Sequence, residues 1–276
     1  MPTATVNGVR LFYALTGAAG PPLVLVHGAW GDHASWDAVV PILAQRFRVL
    51  AYDRRGHSQS ERPPGQGSVE EDVADLAALL EHLGLAPAHV AGFSFGGTIA
   101  LRLAARRPAL VRSLAVHEPA LFALLADDPD HGPAMREMLV RIGAVAARLA
   151  AGDVEEGTRQ FMEAARGPGA WEQLPPTGRQ RLVFNAPTVV DEARDPAALT
   201  LDLAALAGCR RPVLLTHGDR IFPDDRPILA ALAAVLPRSE TRRFAGAGHL
   251  PHESHPAEYA AAMATFAEAA EDAGPN

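Results

Sequence analysis

Short apolar runs alternate with longer stretches of helical spacing along the first part of the chain. Val9–Leu15 reads as a strand. Leu23–His27 follows Pro21-Pro22 as an unbroken apolar run, the pattern of a buried strand, and stops at Gly28. Phe47–Asp53, His89–Phe93 and Arg112–His117 are read as strands too. Between them, Val73, Leu76, Leu79, Leu80 and Leu83 recur at helical spacing over Val69–Leu83, and Gly84 closes that helix. A second helix, Gly96–Arg107, is halted by Pro108. Strands that alternate with helices predict an α/β fold, a mostly parallel sheet with helices on both faces.

The pattern then changes. From Pro119 to Ala207 the chain reads as helix and loop, broken at Pro129, Pro133, Gly167-Pro168-Gly169 and Pro175-Pro176, with no convincing strand. Strand patterns return at Pro212–His217 and Glu240–Phe244, and Pro256–Ala270 is a closing helix. We therefore expect a core of residues 1–118 and 208–276 with an inserted helical cap at 119–207. Such a cap would cover the carboxyl ends of the strands, where α/β folds bind ligands.

A length of 276 residues accommodates one large domain with an insertion. The net charge is −7, and all 25 basic residues are arginine. An acidic surface gives no electrostatic reason to expect nucleic acid or an anionic membrane as partner. Cys209 is the lone cysteine, so no internal disulfide can form. Met1–Arg10 lacks the features of a signal peptide, and no apolar run reaches the roughly 18–20 residues of a membrane span. A cytoplasmic protein acting on a small molecule is expected. Its oligomeric state stays open, a homodimer among the options.

Candidate chemistry centres on Gly92-Phe93-Ser94-Phe95-Gly96, followed by Gly97. This is G-x-S-x-G between an apolar strand and a helix, the context that lifts the motif above chance. A sharp strand-to-helix turn crowds its neighbours, so glycine is needed two residues before and after the serine. The turn raises the Ser94 hydroxyl, and the helix aims its N-terminal amides at the reacting centre. A serine hydroxyl needs a base. His249, in Gly246-Ala247-Gly248-His249, lies past the last strand, where the glycines let the imidazole be presented above the sheet. His252 and His255 are read as exposed loop or cap residues. His33, His82, His89 and His131 are read as surface residues without a trustworthy metal-ligand spacing. No metal or cofactor is expected.

With His27-Gly28-Ala29-Trp30-Gly31 after a buried strand, and Asp53-Arg54-Arg55-Gly56-His57-Ser58-Gln59-Ser60, the chain resembles the α/β-hydrolase fold superfamily. The resemblance implies that the backbone N–H groups of Ala29 and Phe95 form an oxyanion hole, and that His27 braces its loop. The Asp53 segment resembles the family's D-x-R-G-x-G-x-S turn, with Ser58 in place of its second glycine, and is read as scaffold. Most family members carry an acid in a G-x-x-D pattern after the penultimate strand, where this chain has Ile221. Two repairs are open. Glu118, closing the strand before the cap, is preferred; the dehalogenase branch of the fold includes enzymes with Glu there, and an unpaired buried charge at that strand end would be costly. Asp219 is the second choice, and Asp224 or Asp225 follow.

A serine at the elbow argues against the branches that use an aspartate nucleophile, the dehalogenases and epoxide hydrolases. Phe95 stands where cofactor-free haloperoxidases often carry Met. Acyl transfer to water is the leading expectation, on a small-to-medium apolar ester, lactone or thioester. Trp30, Phe122, Trp171, Phe184 and Leu250 are expected to line its pocket, and Arg54 or Arg55 could reach the cleft. Two other readings stay open: another reaction type on this fold (C–C hydrolase, lyase or biosynthetic cyclase), and a non-catalytic ligand-binding protein.

Overall fold

Side chains of a strand alternate between the two faces of its sheet, and each face needs its own cover. In Pro22–Val26 (β3), Val24 and Val26 join one buried cluster, while Leu23 and Leu25 join another on the opposite face. The same division runs through Arg48–Tyr52 (β4), Ala88–Phe93 (β5), Val111–His117 (β6) and Val213–Gly218 (β7). The computed structural model describes residues 2–219 and 224–272. Thr3–Val6 (β1), Val9–Thr16 (β2) and Ser239–Phe244 (β8) complete an eight-stranded sheet among these residues, in the order β1-β2-β4-β3-β5-β6-β7-β8. From β4 through β8 the strands pair in parallel, and β1 and β2 are antiparallel.

In chain order the helices are Val40–Leu43 (α1), Val69–His82 (α2), Phe95–Arg106 (α3), Gly132–Ala150 (α4), Val154–Arg166 (α5), Ala170–Gln173 (α6), Pro176–Asn185 (α7), Pro187–Arg194 (α8), Leu203–Leu206 (α9), Arg226–Val235 (α10), Pro251–Ser254 (α11) and Pro256–Asp272 (α12). Leu76 and Leu80 of α2, Ile99 and Leu103 of α3, and Leu229 and Leu232 of α10 cover one face. Leu43 of α1 and Tyr259 and Met263 of α12 cover the other. Ser68 starts α2 with a capping box to Glu71. From α4 to α9 the insertion between β6 and β7 is helical and holds a separate apolar cluster around Leu149, Met162, Trp171 and Leu182. Among the described residues no helix is long and apolar enough to cross a membrane.

Among the described residues, β1, α10 and the short helices α1 and α11 escape the periodicity argument. β1 is short and pairs with β2 across Asn7-Gly8, both at positive φ (48° and 75°). That dipeptide is itself a strong hairpin signal. Helix α10 follows a segment that includes Ile221, which lies outside the described residues.

The elbow is a crowded turn at the end of a central strand. Ser94 sits at φ 51°, ψ −127° between β5 and α3. A Cβ on Gly96 would lie 2.2 Å from the Val26 carbonyl oxygen and 2.5 Å from that of His27. One on Gly92 would lie 2.5 Å from the Gly96 carbonyl oxygen. The glycines are thus required by backbone–backbone contact. Gly96→Ala is expected to cost about 3 kcal/mol of stability through overpacking, measured by urea denaturation. An unchanged midpoint would mean that the turn can open.

Candidate active site

Parallel pairing of β6 with β7 sets His117 opposite Thr216 and brings Glu118 to the end of β7. Glu118 takes φ +43° there, and its side chain is 2 % exposed. Its Oε1 accepts the Gly218 amide at 2.8 Å, and its Oε2 accepts the His249 Nδ1 hydrogen at 2.6 Å. With the Nδ1 proton engaged, Nε2 is the basic nitrogen of His249. Burial pushes the Glu118 carboxyl up, but the His249 hydrogen bond, the neighbouring His117 and the Gly218 amide outweigh it and hold the pKa below the usual carboxylate value. His117 is fully buried. Burial, against the pull of Glu118, drives its pKa down to about 3, so it is neutral. Its Nδ1 lies 3.0 Å from the Thr216 hydroxyl.

Asp219 is not brought to His249. Its Oδ2 accepts the Gly246 amide at 2.8 Å, its carboxylate pairs with Arg243 at 3.3 Å, and its own amide donates to the Ala247 carbonyl. It buttresses the loop that presents His249. Asp224 is held by Arg226 at 2.7 Å, away from His249.

A cavity of about 1170 Å³ opens between the strand ends and the helical insertion, and Ser94, Glu118 and His249 line it together. Ala29, Trp30, Phe95, Phe122 and Leu250 line it as well. The Phe95 amide is in the first turn of α3, where no intrahelical acceptor exists. Trp171 and Phe184 do not line the cavity. Trp171 is buried in the apolar cluster of the insertion, and Phe184 is 57 % exposed with the Arg62 guanidinium over its ring. Arg54 and Arg55 do not offer free guanidinium groups either. Arg54 is buried against Asp72 (3.0 Å), Glu192 (2.6 Å) and the Phe95 ring, and Arg55 is paired with Asp75.

His27 is a brace: its Nε2 accepts the Arg54 amide at 3.0 Å, and its Nδ1 donates to the Gly28 carbonyl at 2.8 Å. Burial, then the nearby Arg54 charge, lower its pKa to about 3. Ser58 occupies φ +40°, the region a glycine would favour, and uses its hydroxyl to bond Asp32 at 2.7 Å. Sequence reasoning missed Asn185 at the end of α7. Its Nδ2 donates to the carbonyls of Trp30 (3.1 Å) and Gly31 (3.0 Å), and its Oδ1 accepts the Ser58 amide at 2.7 Å. It ties the insertion to the loop carrying Ala29, where Trp30 is held at φ +60° and stacks on Phe161 with ring centres 4.0 Å apart.

His252 and His89 differ from expectation, whereas His82 and His131 lie at the surface as expected. His252 is buried between Trp36 and Phe93, with ring centres 4.7 and 4.3 Å away, and burial holds it neutral. His89 is buried and bonds Ser113, and His33 Nδ1 bonds Asp53 at 2.6 Å. His255 is half-buried, while His82 and His131 are exposed. Donor atoms of His117, Glu118 and His249 lie within 4.8 Å of one another, as do those of Asp32, His33 and Asp53. Both sets are already bonded to protein groups: Glu118 to His249 and Gly218, and Asp53 to His33 and the Gln59 amide.

Sheet order, serine elbow and helical insertion are those of an α/β enzyme with its site at the carboxyl ends of the strands. The chain belongs to the alpha/beta hydrolase fold family, whose sequence model matches residues 21–256. It is similar to the dihydrolipoyllysine-residue acetyltransferase component of the acetoin cleaving system of Pseudomonas putida, 42% identical over 41% of this chain and 31% of that protein. The chain thus spans about a third of that relative's length. An enol-lactonase from Burkholderia xenovorans superimposes with a TM-score of 0.79, at 23% identity over 96% of this chain and 99% of that one. A thermophilic esterase from Thermogutta terrifontis superimposes with a TM-score of 0.77, at 25% identity over 97% of each chain.

Proposed function

We propose that this hydrolase is a serine hydrolase of small-to-medium apolar carboxylic esters, lactones or thioesters. The observation that carries the reading is the 2.6 Å bond from His249 Nδ1 to Glu118, on the wall of the cavity that also exposes Ser94. Ser94 Oγ attacks the substrate carbonyl carbon while His249 Nε2 takes its proton. The carbonyl oxygen gathers negative charge and accepts the Ala29 and Phe95 N–H groups, each such donor being worth about 3 kcal/mol in the transition state. Glu118 stabilises the imidazolium through Nδ1. His249 then protonates the leaving group, an acyl group stays on Ser94, and water attacks it with His249 again as base.

Residues 119–207 act as the cap, whose apolar wall at Phe122, Val145 and Phe161 favours apolar substrates. The esterase from Thermogutta terrifontis and the enol-lactonase are in keeping with this class of reaction. The test is turnover of p-nitrophenyl acetate and butyrate by pure protein. Failure on every ester, lactone and thioester tried would reject the reading.

Asn185 is a positioning residue in this scheme. Asn185→Ala is expected to lower kcat by roughly 10–100-fold, since small misplacements of catalytic groups cost that much. KM should stay within about threefold, because the loop amide matters most once charge forms on the oxygen. Equal changes in kcat and KM would leave Asn185 a structural tie only.

A further inference from the structure

Among the described residues four carboxyl groups line the cavity: Glu118, Glu192, Glu253 and Asp225. Three are occupied. Glu118 serves His249 and the Gly218 amide. Glu192 holds Arg54 at 2.6 Å, and Glu253 takes Arg166 in a two-point pair at 2.8 and 3.0 Å. Asp225 differs. It is 4 % exposed; its carboxyl takes a bond only from its own backbone amide, and its Oδ1 is buried with no hydrogen-bond partner among the described residues.

Its place in the chain makes this odder. Asp225 is the residue that opens α10, where an Asp side chain ordinarily accepts the first free amides of the helix. Here the side chain makes no capping bond. The nearby cation is also committed elsewhere, since Arg226 holds Asp224 at 2.7 Å. A buried polar group without a partner is costly, and such groups in folded proteins ordinarily find one.

We propose that Asp225 is a specificity-determining residue whose carboxyl hydrogen-bonds a hydroxyl or keto oxygen carried by the substrate near its scissile carbonyl. The proposal rests on the ester-hydrolase reading of the site and names a feature of the substrate that the apolar wall does not. Burial, and then the charges of Glu118 and Asp224, push the Asp225 pKa up to about 8. At neutral pH the group is mainly protonated, so it offers both a donor and an acceptor. That suits an oxygen function rather than an ammonium, which would require the ionised form. A site that hydrogen-bonds a substrate oxygen discriminates against the analogue lacking it, because its own polar group is then left unpaired.

The experiment compares matched esters on one enzyme, so that a general loss of activity cancels. One series varies the acyl side: p-nitrophenyl butyrate, 3-hydroxybutyrate, 3-oxobutyrate and 4-aminobutyrate. The other varies the alcohol: ethyl and 2-hydroxyethyl butyrate. The wild type should favour a hydroxy or keto ester over its alkyl partner by at least about tenfold in kcat/KM in one series. Asp225→Leu should bring that ratio to about one, and Asp225→Asn, which keeps a donor and an acceptor, should retain it within a few-fold. Asp225→Ala replaces the leucine variant if the latter does not fold. A ratio that is the same in wild type and Asp225→Leu, or a wild type that prefers the amino ester, overturns the proposal.

Turnover of no ester, lactone or thioester at all would defeat the ester-hydrolase reading by itself. Asp225 is then judged by calorimetry with methyl 3-hydroxybutyrate and methyl butyrate. Tighter binding of the hydroxy compound that Asp225→Leu removes supports the role, and equal binding rejects it.

Discussion

Ser94→Ala is expected to lower kcat on p-nitrophenyl butyrate by about 10⁴–10⁶-fold, the loss seen when the nucleophile of a serine triad is removed. Ser94 is the hydroxyl on the elbow between β5 and α3, at a backbone geometry that the surrounding glycines permit. What survives in the variant is water attack assisted by the Ala29 and Phe95 amides. The same variant should fail to label with a fluorophosphonate, whereas wild type should label stoichiometrically. Binding need not suffer, because alanine leaves the apolar wall intact. The variant should therefore hold an unreactive ester analogue as tightly as wild type does. A variant that keeps more than about 1% of kcat would show that Ser94 is not the nucleophile, since triad losses are orders of magnitude larger. Retained turnover would point to a reaction on this fold that needs no acyl-enzyme.

Much of this site was legible because its constraints are local. Gly92 and Gly96 are fixed by carbonyl oxygens 2.2–2.5 Å from where a Cβ would lie, so the motif records backbone crowding directly. The two-face division of Leu23, Val24, Leu25 and Val26 likewise appears as an unbroken apolar run. What was not legible depends on register and on which way a helix turns. Glu118 and Asp219 were both acceptable acids in the sequence. The pairing of His117 with Thr216 brings Glu118 to His249, 131 residues on, and leaves Asp219 to the Gly246 amide. Trp171 and Phe184 have the apolar character of a pocket wall, yet one faces the interior of the insertion and the other faces outward. Composition does not carry that direction. Asn185 has no spacing signature at all, because its partners Ser58 and Trp30 are 127 and 155 residues away. His252 has the polar character of an exposed residue, yet it packs like an aromatic core side chain against Phe93, and burial keeps it neutral.

Glu118→Gln and Asp219→Asn separate the two carboxylates. In Glu118→Gln the Gly218 amide still requires an acceptor, so the side-chain oxygen turns to it. The amide NH₂ is then left facing His249 Nδ1, where wild type has a carboxylate oxygen at 2.6 Å. Two donors cannot share that contact, so the ring shifts its proton to Nε2. His249 then presents an N–H to Ser94 instead of a lone pair and cannot act as base. A loss of about 10⁴-fold in kcat is expected, as for the corresponding amide substitution in serine proteases, with KM little changed. In Asp219→Asn the side-chain oxygen can still accept the Gly246 amide, and only the half-exposed pairing with Arg243 is lost. Pairs of that kind are worth at most about 1 kcal/mol, so the rate should stay within about fivefold. The Glu118 carboxyl, with its lowered pKa, remains ionised below the usual carboxylate range, so its contribution disappears only as the pH falls through that lowered value. A Glu118→Gln enzyme within threefold of wild type, measured beside a crippled Asp219→Asn, would transfer the acid's role to Asp219 and leave the 2.6 Å contact a structural one.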